Sequence, residues 1–516
     1  MKTNRIKYLI IFFSYTVIYG LFLTIIRNDG YLNFEPLYVS HNFLMLKNPD
    51  IDLVKKFFFS YPILTHILAY PFSFINSLDA PFYASILFTS FLNTFIVRTI
   101  AKQTNVLFSI IVFIYLLTSP IFIYAATSGT SFYVYIIIYF YLFYMLFNYV
   151  KNYSIYYLTL CSIAISFIPF LDYKLLWIVL MLIPLLFIFT VKNFHDKDSG
   201  FILDLIRISK DKNSQKLFIS NFISMVLIIS FLPISVFLIY LMINNLYGDD
   251  FFFFLINNTS GWNNNNINNL TSTLGNLEYS LNAVNSFAVI KIILLISAFY
   301  CLEFVIDIKQ SIKVVILAII PVILILLMRE QKIEMINLNF LVVFHIIAIA
   351  SFLTFYKQNT LKSKNLKLTI YSLFFIGMIY GEFHYFKSSI SIQEKNFFTS
   401  VTKNETNEIL ELNKRGAIFI LNSIPLNSTI LCDNSVFYPI ITFDNNTHHF
   451  LENLSDDFTK ALKKPAKHAD YIIISKENSP LYSKDILAYY IKENAALLNH
   501  IIYESKYYQI LKVRKS

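Results

Sequence analysis

Residues 8–26 read YLIIFFSYTVIYGLFLTII, with Arg5 and Lys7 before them and Arg27 after. At about 1.5 Å per residue, such a stretch crosses about 30 Å of hydrocarbon. Its basic start and the absence of a small-residue cleavage site mark it as an uncleaved first span. The pattern recurs. Apolar runs at 80–99, 105–124, 131–150, 154–171, 175–192, 218–243, 285–306, 313–328, 337–356 and 368–386 bring the expected total to about eleven transmembrane helices. The chain of 516 residues is 56% hydrophobic and only 14% charged, a composition that one water-soluble core cannot accommodate. The fold class expected is an α-helical polytopic membrane protein with a small C-terminal α/β soluble domain.

Charge sets the orientation. With Met1 on the cytoplasmic side, the inner segments hold 18 Lys and Arg against 7 in the outer loops, as the positive-inside bias requires. Residues 61–74 are apolar but short and carry Pro62, His66 and Pro71, so they read as an interfacial helix rather than a span. Residues 1–386 then form the membrane domain and 387–516 an outward domain. The outer face also receives a long first loop, 27–79, and a polar loop around 248–275, whose Asn-rich centre with Trp262 has no helical or strand period. In the tail, strand-like runs at 429–432, 470–475 and 507–513 alternate with helix-like stretches at 404–422 and 483–494.

Several function classes are excluded. The net charge of +10 gathers at span ends, which argues against a nucleic-acid partner. Cys161, Cys301 and Cys432 make no CxxC, so neither a disulfide framework nor a zinc site is expected. There is no P-loop or GxSxG. His448 and His449 lack partners at ligand spacing and read as surface residues. No metal ligand is assigned.

Chemistry is expected on the outer side. Asp29 and Glu35 follow the first span directly, and a carboxylate held at a membrane interface has a raised pKa and can take a proton from a hydroxyl. Against this stands the plainer reading of acids that are solvated or that cap the next helix. Tyr38 and His41 share the loop with Glu35. In LDYK, residues 171–174, Lys174 sits at headgroup level, where a cation meets a lipid phosphate or snorkels beside Asp172. In MREQKIE, residues 328–334, Arg329 and Lys332 place positive charge on the outward face against the usual bias. Phosphate binding explains them, as does pairing with Glu330 and Glu334. His345, deep in an apolar span, reads as a packed histidine.

Taken with FEPLY at 34–38, YPIL at 61–64 and ADYIIIS at 469–475, this layout resembles the polytopic GT-C glycosyltransferases, the protein mannosyltransferase and lipid A aminoarabinose transferase-like group. The resemblance covers most of the chain loosely. It implies transfer of a sugar from a polyprenyl-phosphate donor to a lipid, glycan or protein acceptor at the periplasmic face of a bacterial inner membrane. Glu35 and Asp29 would be catalytic, and Arg329, Lys332, Lys174, His41 and Tyr38 would bind the lipid phosphate and substrate. It leaves a divalent metal open as cofactor. The chain departs from the pattern where Phe34 replaces the first acid of the pair, and where AATSGTS, residues 125–131, lacks the acid that related enzymes place after the third span. Two rival readings remain: a lipid-linked glycan flippase, which would bury more charge than Lys291, Glu303 and His345 along its spans, and a GT-C-like scaffold without activity.

Overall fold

The computed structural model describes residues 2–28, 31–46, 53–59, 62–104, 106–171, 182–183, 186–191, 201–253, 338–355, 364–389, 391–403, 407–445, 450–451, 453, 455–477, 479, 485–488 and 498–513. The expected spans at 285–306 and 313–328, and most of 175–192, lie outside them, as do His448, His449 and nearly all of the Asn-rich loop.

Helix α1 (Lys2–Asn28) shows why the solvent is lipid. Its outward stripe, Ile6, Leu9, Ile10, Phe13, Val17, Leu21 and Ile25, is more than half exposed at every position. In water each of these side chains would forgo roughly 1.5–3 kcal/mol of burial. The inward face carries the polar groups instead. Tyr15 and Tyr19 donate hydroxyl bonds to the carbonyls of Phe113 (3.1 Å) and Leu116 (2.8 Å), and Asn93 donates to Tyr19 Oη at 2.8 Å. Apolar stripes face outward while these polar groups find partners inside, beside buried Leu23 and Ile26, as a lipid solvent requires.

The bundle continues through α2 (Phe34–Met45), α3 (Leu53–Phe58), α4 (Ile63–Ser73), α5 (Ala80–Ala101), α6 (Val106–Thr118), α7 (Pro120–Thr127), α8 (Phe132–Asn152), α9 (Ile155–Leu171), α10 (Phe201–Lys210), α11 (Lys212–Gly248), α12 (Leu338–Phe355) and α13 (Lys364–Lys387). Four described helices, α1, α5, α8 and α11, are long and apolar enough to cross a membrane, and a fifth span results if α6 and α7 count as one. The molecule is therefore a mostly helical, membrane-embedded protein.

The run expected as one span at 105–124 is broken, bending by 58° between α6 and α7. Pro120 opens α7 and Ser119 before it is extended, with φ −64° and ψ 122°. A proline ring disfavours the helical conformation in the residue that precedes it, and proline contributes no N–H of its own. The break is closed from another helix: Glu382 of α13 accepts from Ser119 Oγ at 2.5 Å, the Ile121 amide at 3.3 Å and Tyr115 Oη at 3.2 Å. His345 of α12 meets the same tyrosine hydroxyl at 3.0 Å.

The segment after α1 folds into α2, α3 and α4, and an ion pair between Arg27 and Asp79 joins its two ends. The short α4 is the helix expected between 61 and 74. Beyond the bundle come α14 (Ile392–Lys403), α15 (Glu408–Ser423), β1 (Ile430–Leu431), α16 (Asn434–Asp444), β2 (Phe450–Leu451), α17 (Asp456–Lys463), α18 (Pro465–His468), β3 (Tyr471–Ser475), β4 (Leu498–Glu504) and β5 (Tyr508–Val513). The five strands form one sheet in the order β2-β1-β3-β5-β4, parallel across the first three and antiparallel across the rest. Side chains alternate between its faces as a pleat demands. Ile430, Ile473 and Ile510 pack on α15 and α16, while Leu431, Ile472, Ile474 and Leu511 pack toward α17.

The C-terminal domain rests on α2. Phe34 and Leu37 of α2 pack with Ile409 and Leu410 of α15 and Tyr438 of α16, and Thr442 Oγ1 donates to the Leu37 carbonyl at 3.3 Å.

Candidate functional site

The site is built on α2. Asn33 caps it, its side chain accepting from the Phe34 amide at 2.7 Å and donating to Tyr31 Oη at 3.1 Å. Glu35 follows in the first turn, where the helix dipole favours an anion. It is only 8% exposed, and its Oε1 accepts the backbone amide of Ser131 at 2.7 Å. Ser131 is the N-cap of α8, so Glu35 closes the start of a membrane-spanning helix. Burial pushes the carboxyl pKa up, and the bonds from Ser131 pull part of that back.

Tyrosines enclose this carboxylate. Its charge acts on the phenols of Tyr31, Tyr124, Tyr133 and Tyr438, which come from the first loop, α7, α8 and α16. Along the same face of α2, one turn apart, lie Tyr38 and His41. Tyr38 stands edge-on to Tyr438 at 5.4 Å and to His66 at 6.0 Å, and the His41 ring lies 6.4 Å from that of Tyr438. Burial drives the His41 pKa down to about 3, so the ring is neutral. His66 is fixed by two bonds: Nδ1 lies 2.8 Å from the Pro62 carbonyl and Nε2 2.7 Å from the Asn42 amide nitrogen. A carbonyl can only accept, so Nδ1 carries the proton and Nε2 accepts from Asn42.

Some of the molecule's unpartnered buried polar atoms lie here. His41 Nδ1, Thr65 Oγ1, Tyr133 Oη and Tyr438 Oη have no hydrogen bond among the described residues. Such groups usually meet water or a ligand, because leaving one unsatisfied costs about 1–3 kcal/mol. They come from α2, α4, α8 and α16.

Of the residues expected at the site, the structure gathers Glu35, Tyr38 and His41. Asp29, Lys174, Arg329 and Lys332 lie outside the described residues. Sequence reading gave His66, Tyr438 and Glu394 no role at the site. Glu394, in the first turn of α14, is buried; it accepts from Ser389 Oγ at 2.5 Å and from the Leu338 amide at 2.9 Å. The Tyr124 phenol lies within electrostatic reach of both Glu394 and Glu35. Glu35, Glu382 and Glu394 share one device, each accepting the amide at the start of a helix: α8, α7 and α12 respectively. Among the described residues, no three His, Cys, Asp or Glu side chains lie together as a metal-binding group.

A scan of protein-family models finds no match to this chain, and a search of curated proteins finds none either.

Proposed function

We propose that the chain is a GT-C-like glycosyltransferase that moves a sugar from a polyprenyl-phosphate carrier to an acceptor hydroxyl at the periplasmic face of a bacterial inner membrane, with Met1 cytoplasmic and residues 387–516 outside. The observation that carries this reading is the environment of Glu35: a buried carboxylate with a raised pKa, held between the first outer loop, α8 and the C-terminal domain, beside unpartnered hydroxyl and imidazole groups. Such a carboxylate suits a general base.

In the reaction, the acceptor oxygen bonds to the anomeric carbon as the bond from that carbon to the phosphate oxygen breaks. Glu35 takes the hydroxyl proton, and the polyprenyl phosphate leaves with the bonding pair. His41 and Tyr38, with Tyr438, would hold sugar or acceptor hydroxyls. Arg329, Lys332 and Lys174 are the proposed cations for the leaving phosphate, and Asp29 a supporting acid.

A second reading, a non-catalytic scaffold, is favoured by the bond to Ser131, because a glutamate that closes a helix needs no other role. Transfer from a radiolabelled polyprenyl-phosphate sugar separates the two. Glu35→Gln keeps an oxygen for the Ser131 amide but cannot take a proton. The proposal expects this variant to fold and lose roughly 10²- to 10⁴-fold in turnover. Undiminished transfer by the variant would remove Glu35 as the base, and no transfer by the folded wild type would return the scaffold reading.

A further inference from the structure

The elbow between α10 and α11 carries a surface that the proposed reaction does not use. Residues 201–210 read FILDLIRISK. Asp204, Leu205 and Ile208 turn inward, with Leu205 and Ile208 against Val191 and Phe218. The outward arc interleaves Leu203 and Ile206 with Arg207 and Lys210. Exposed apolar and cationic side chains on one arc are unsuited to bulk water and to the hydrocarbon centre alike. They fit the boundary layer, where the apolar groups dip toward the acyl chains and the cations reach headgroups.

The height of that boundary is set by α11. From Leu217 to Gly248 the helix has no charged residue, and Leu217, Ile219, Ile223, Leu227 and Phe231 are at least half exposed. Lys212 and Lys216 precede this flank and are exposed. Phe218, which supports α10, lies two residues past Lys216, so α10 packs at the level where the apolar flank begins.

The two helices are held together at a capped corner. Asp211 accepts from the amides of Asn213 (3.2 Å) and Ser214 (3.1 Å) and from Ser214 Oγ (2.6 Å), and Gln215 Nε2 donates to the Ser209 carbonyl at 2.5 Å. Among the described residues the corner exposes Arg207, Lys210, Lys212 and Lys216 against one exposed acid, the capping Asp211, so cations outnumber acids on its surface.

We infer that this elbow binds the headgroups of anionic phospholipids in the leaflet it lies in. Charge complementarity and continuity with the lipid-facing flank of α11 select that occupant. The inference rests on the membrane embedding of α11 and not on glycosyl transfer.

The test uses the full chain in nanodiscs of mixed phosphatidylglycerol and phosphatidylcholine, with co-purified lipid counted by native mass spectrometry. The wild type should retain phosphatidylglycerol preferentially, and high salt should weaken the preference. Replacing Arg207, Lys210, Lys212 and Lys216 by Gln should weaken it by about fivefold per cation removed. If that variant does not fold, Lys210→Gln with Lys212→Gln should give the smaller, two-cation loss. The pair Arg5→Gln and Lys7→Gln, at another basic span end, should leave the preference close to wild type. A wild type without preference, elbow variants that keep it, or an Arg5 and Lys7 pair that loses as much as the elbow variants would overturn the assignment.

Discussion

Glu35 Oε1 and the backbone nitrogen of Ser131 lie 2.7 Å apart across 96 residues of chain, so one carboxylate both opens α2 and closes the start of α8. The two duties separate on substitution. Glu35→Ala orphans the Ser131 amide and should cost about 1–3 kcal/mol of stability, whereas Glu35→Gln replaces the acceptor and should cost little. Thermal unfolding of the purified full chain checks the order; equal losses in the two variants would show that the bond to Ser131 is worth nothing.

The same group gives a pH dependence of definite sign. Burial raises the Glu35 pKa in the folded protein above the value of about 4.3 it has when unfolded. Between those two values the folded state holds more protons, so stability falls as pH rises. The contribution is fully present below the unfolded pKa and is lost as pH passes through the folded one. Glu35→Gln should flatten this part of the stability profile, and an unchanged slope would mean that another group sets it.

In the C-terminal domain, Gly416 of α15 faces the ring of Tyr508 from β5, whose hydroxyl donates to the Leu412 carbonyl at 2.8 Å. A Cβ at position 416 would strike that hydroxyl. Gly416→Ala should therefore destabilise by about 1–3 kcal/mol through overpacking, despite alanine's better helix propensity. Tyr508→Phe removes the obstructing oxygen and with it the bond to Leu412. The double variant should be less destabilised than the sum of the singles, a coupling measurable by denaturant unfolding. Strict additivity would exclude the clash.

How much of this was legible depends on the kind of pattern each feature left. The apolar runs that became α1, α5, α8 and α11 are visible because a lipid-facing helix must be apolar along its whole length. The strands at 430–431, 471–475 and 508–513 lie within runs expected from their branched and aromatic residues, whereas the two-residue β2 is too short for any periodicity to show. The break at Pro120 was readable in principle, since a proline inside an apolar run is a standing signal, but hydropathy averaged over it. Glu35 stood out because it follows the first span closely, at the start of a long loop. Glu382 and Glu394 did not, because their partners lie 263 and 56 residues away and no local spacing marks a helix capped from elsewhere. Tyr438 was hidden for the same reason, as its place beside Tyr38 and His41 exists only once the two domains pack.

The capped break makes its own prediction. Glu382→Gln can still accept from Ser119 and Ile121, whereas Glu382→Ala leaves both donors and Tyr115 without that acceptor. The alanine variant should lose about 3 kcal/mol or more, since several buried bonds go at once, and the glutamine variant a small part of that. Detergent-solubilised protein compared by thermal unfolding reads the difference; an alanine variant as stable as glutamine would mean that α7 holds its start without Glu382.

Asp485 carries the sharpest pH prediction. In the sheet, β1 is flanked by β2 on one side and β3 on the other, and the crevice at the carboxyl ends of β1 and β3 is where open α/β sheets place their ligands. Here the chain itself reaches that crevice. Asp485 accepts from the amides of Ser475 (2.7 Å) and Leu487 (3.0 Å), while Asp433 accepts from that of Ile486 at 3.1 Å. Burial, with the charge of Asp433 nearby, pushes the Asp485 pKa up to about 7, against about 3.9 unfolded. The folded state therefore holds the extra proton across that window. Stability from this group is complete below about pH 3.9 and lost as pH rises through about 7, at a cost on the order of 4 kcal/mol. Asp485→Asn keeps an oxygen for an amide and cannot ionise, so it should be more stable than wild type above neutrality and lack the decline. Denaturant midpoints of the full chain at about pH 5 and about pH 8 provide the comparison. A wild type whose midpoint does not fall over that interval, or an asparagine variant whose midpoint falls as far, would show that Asp485 ionises without penalty.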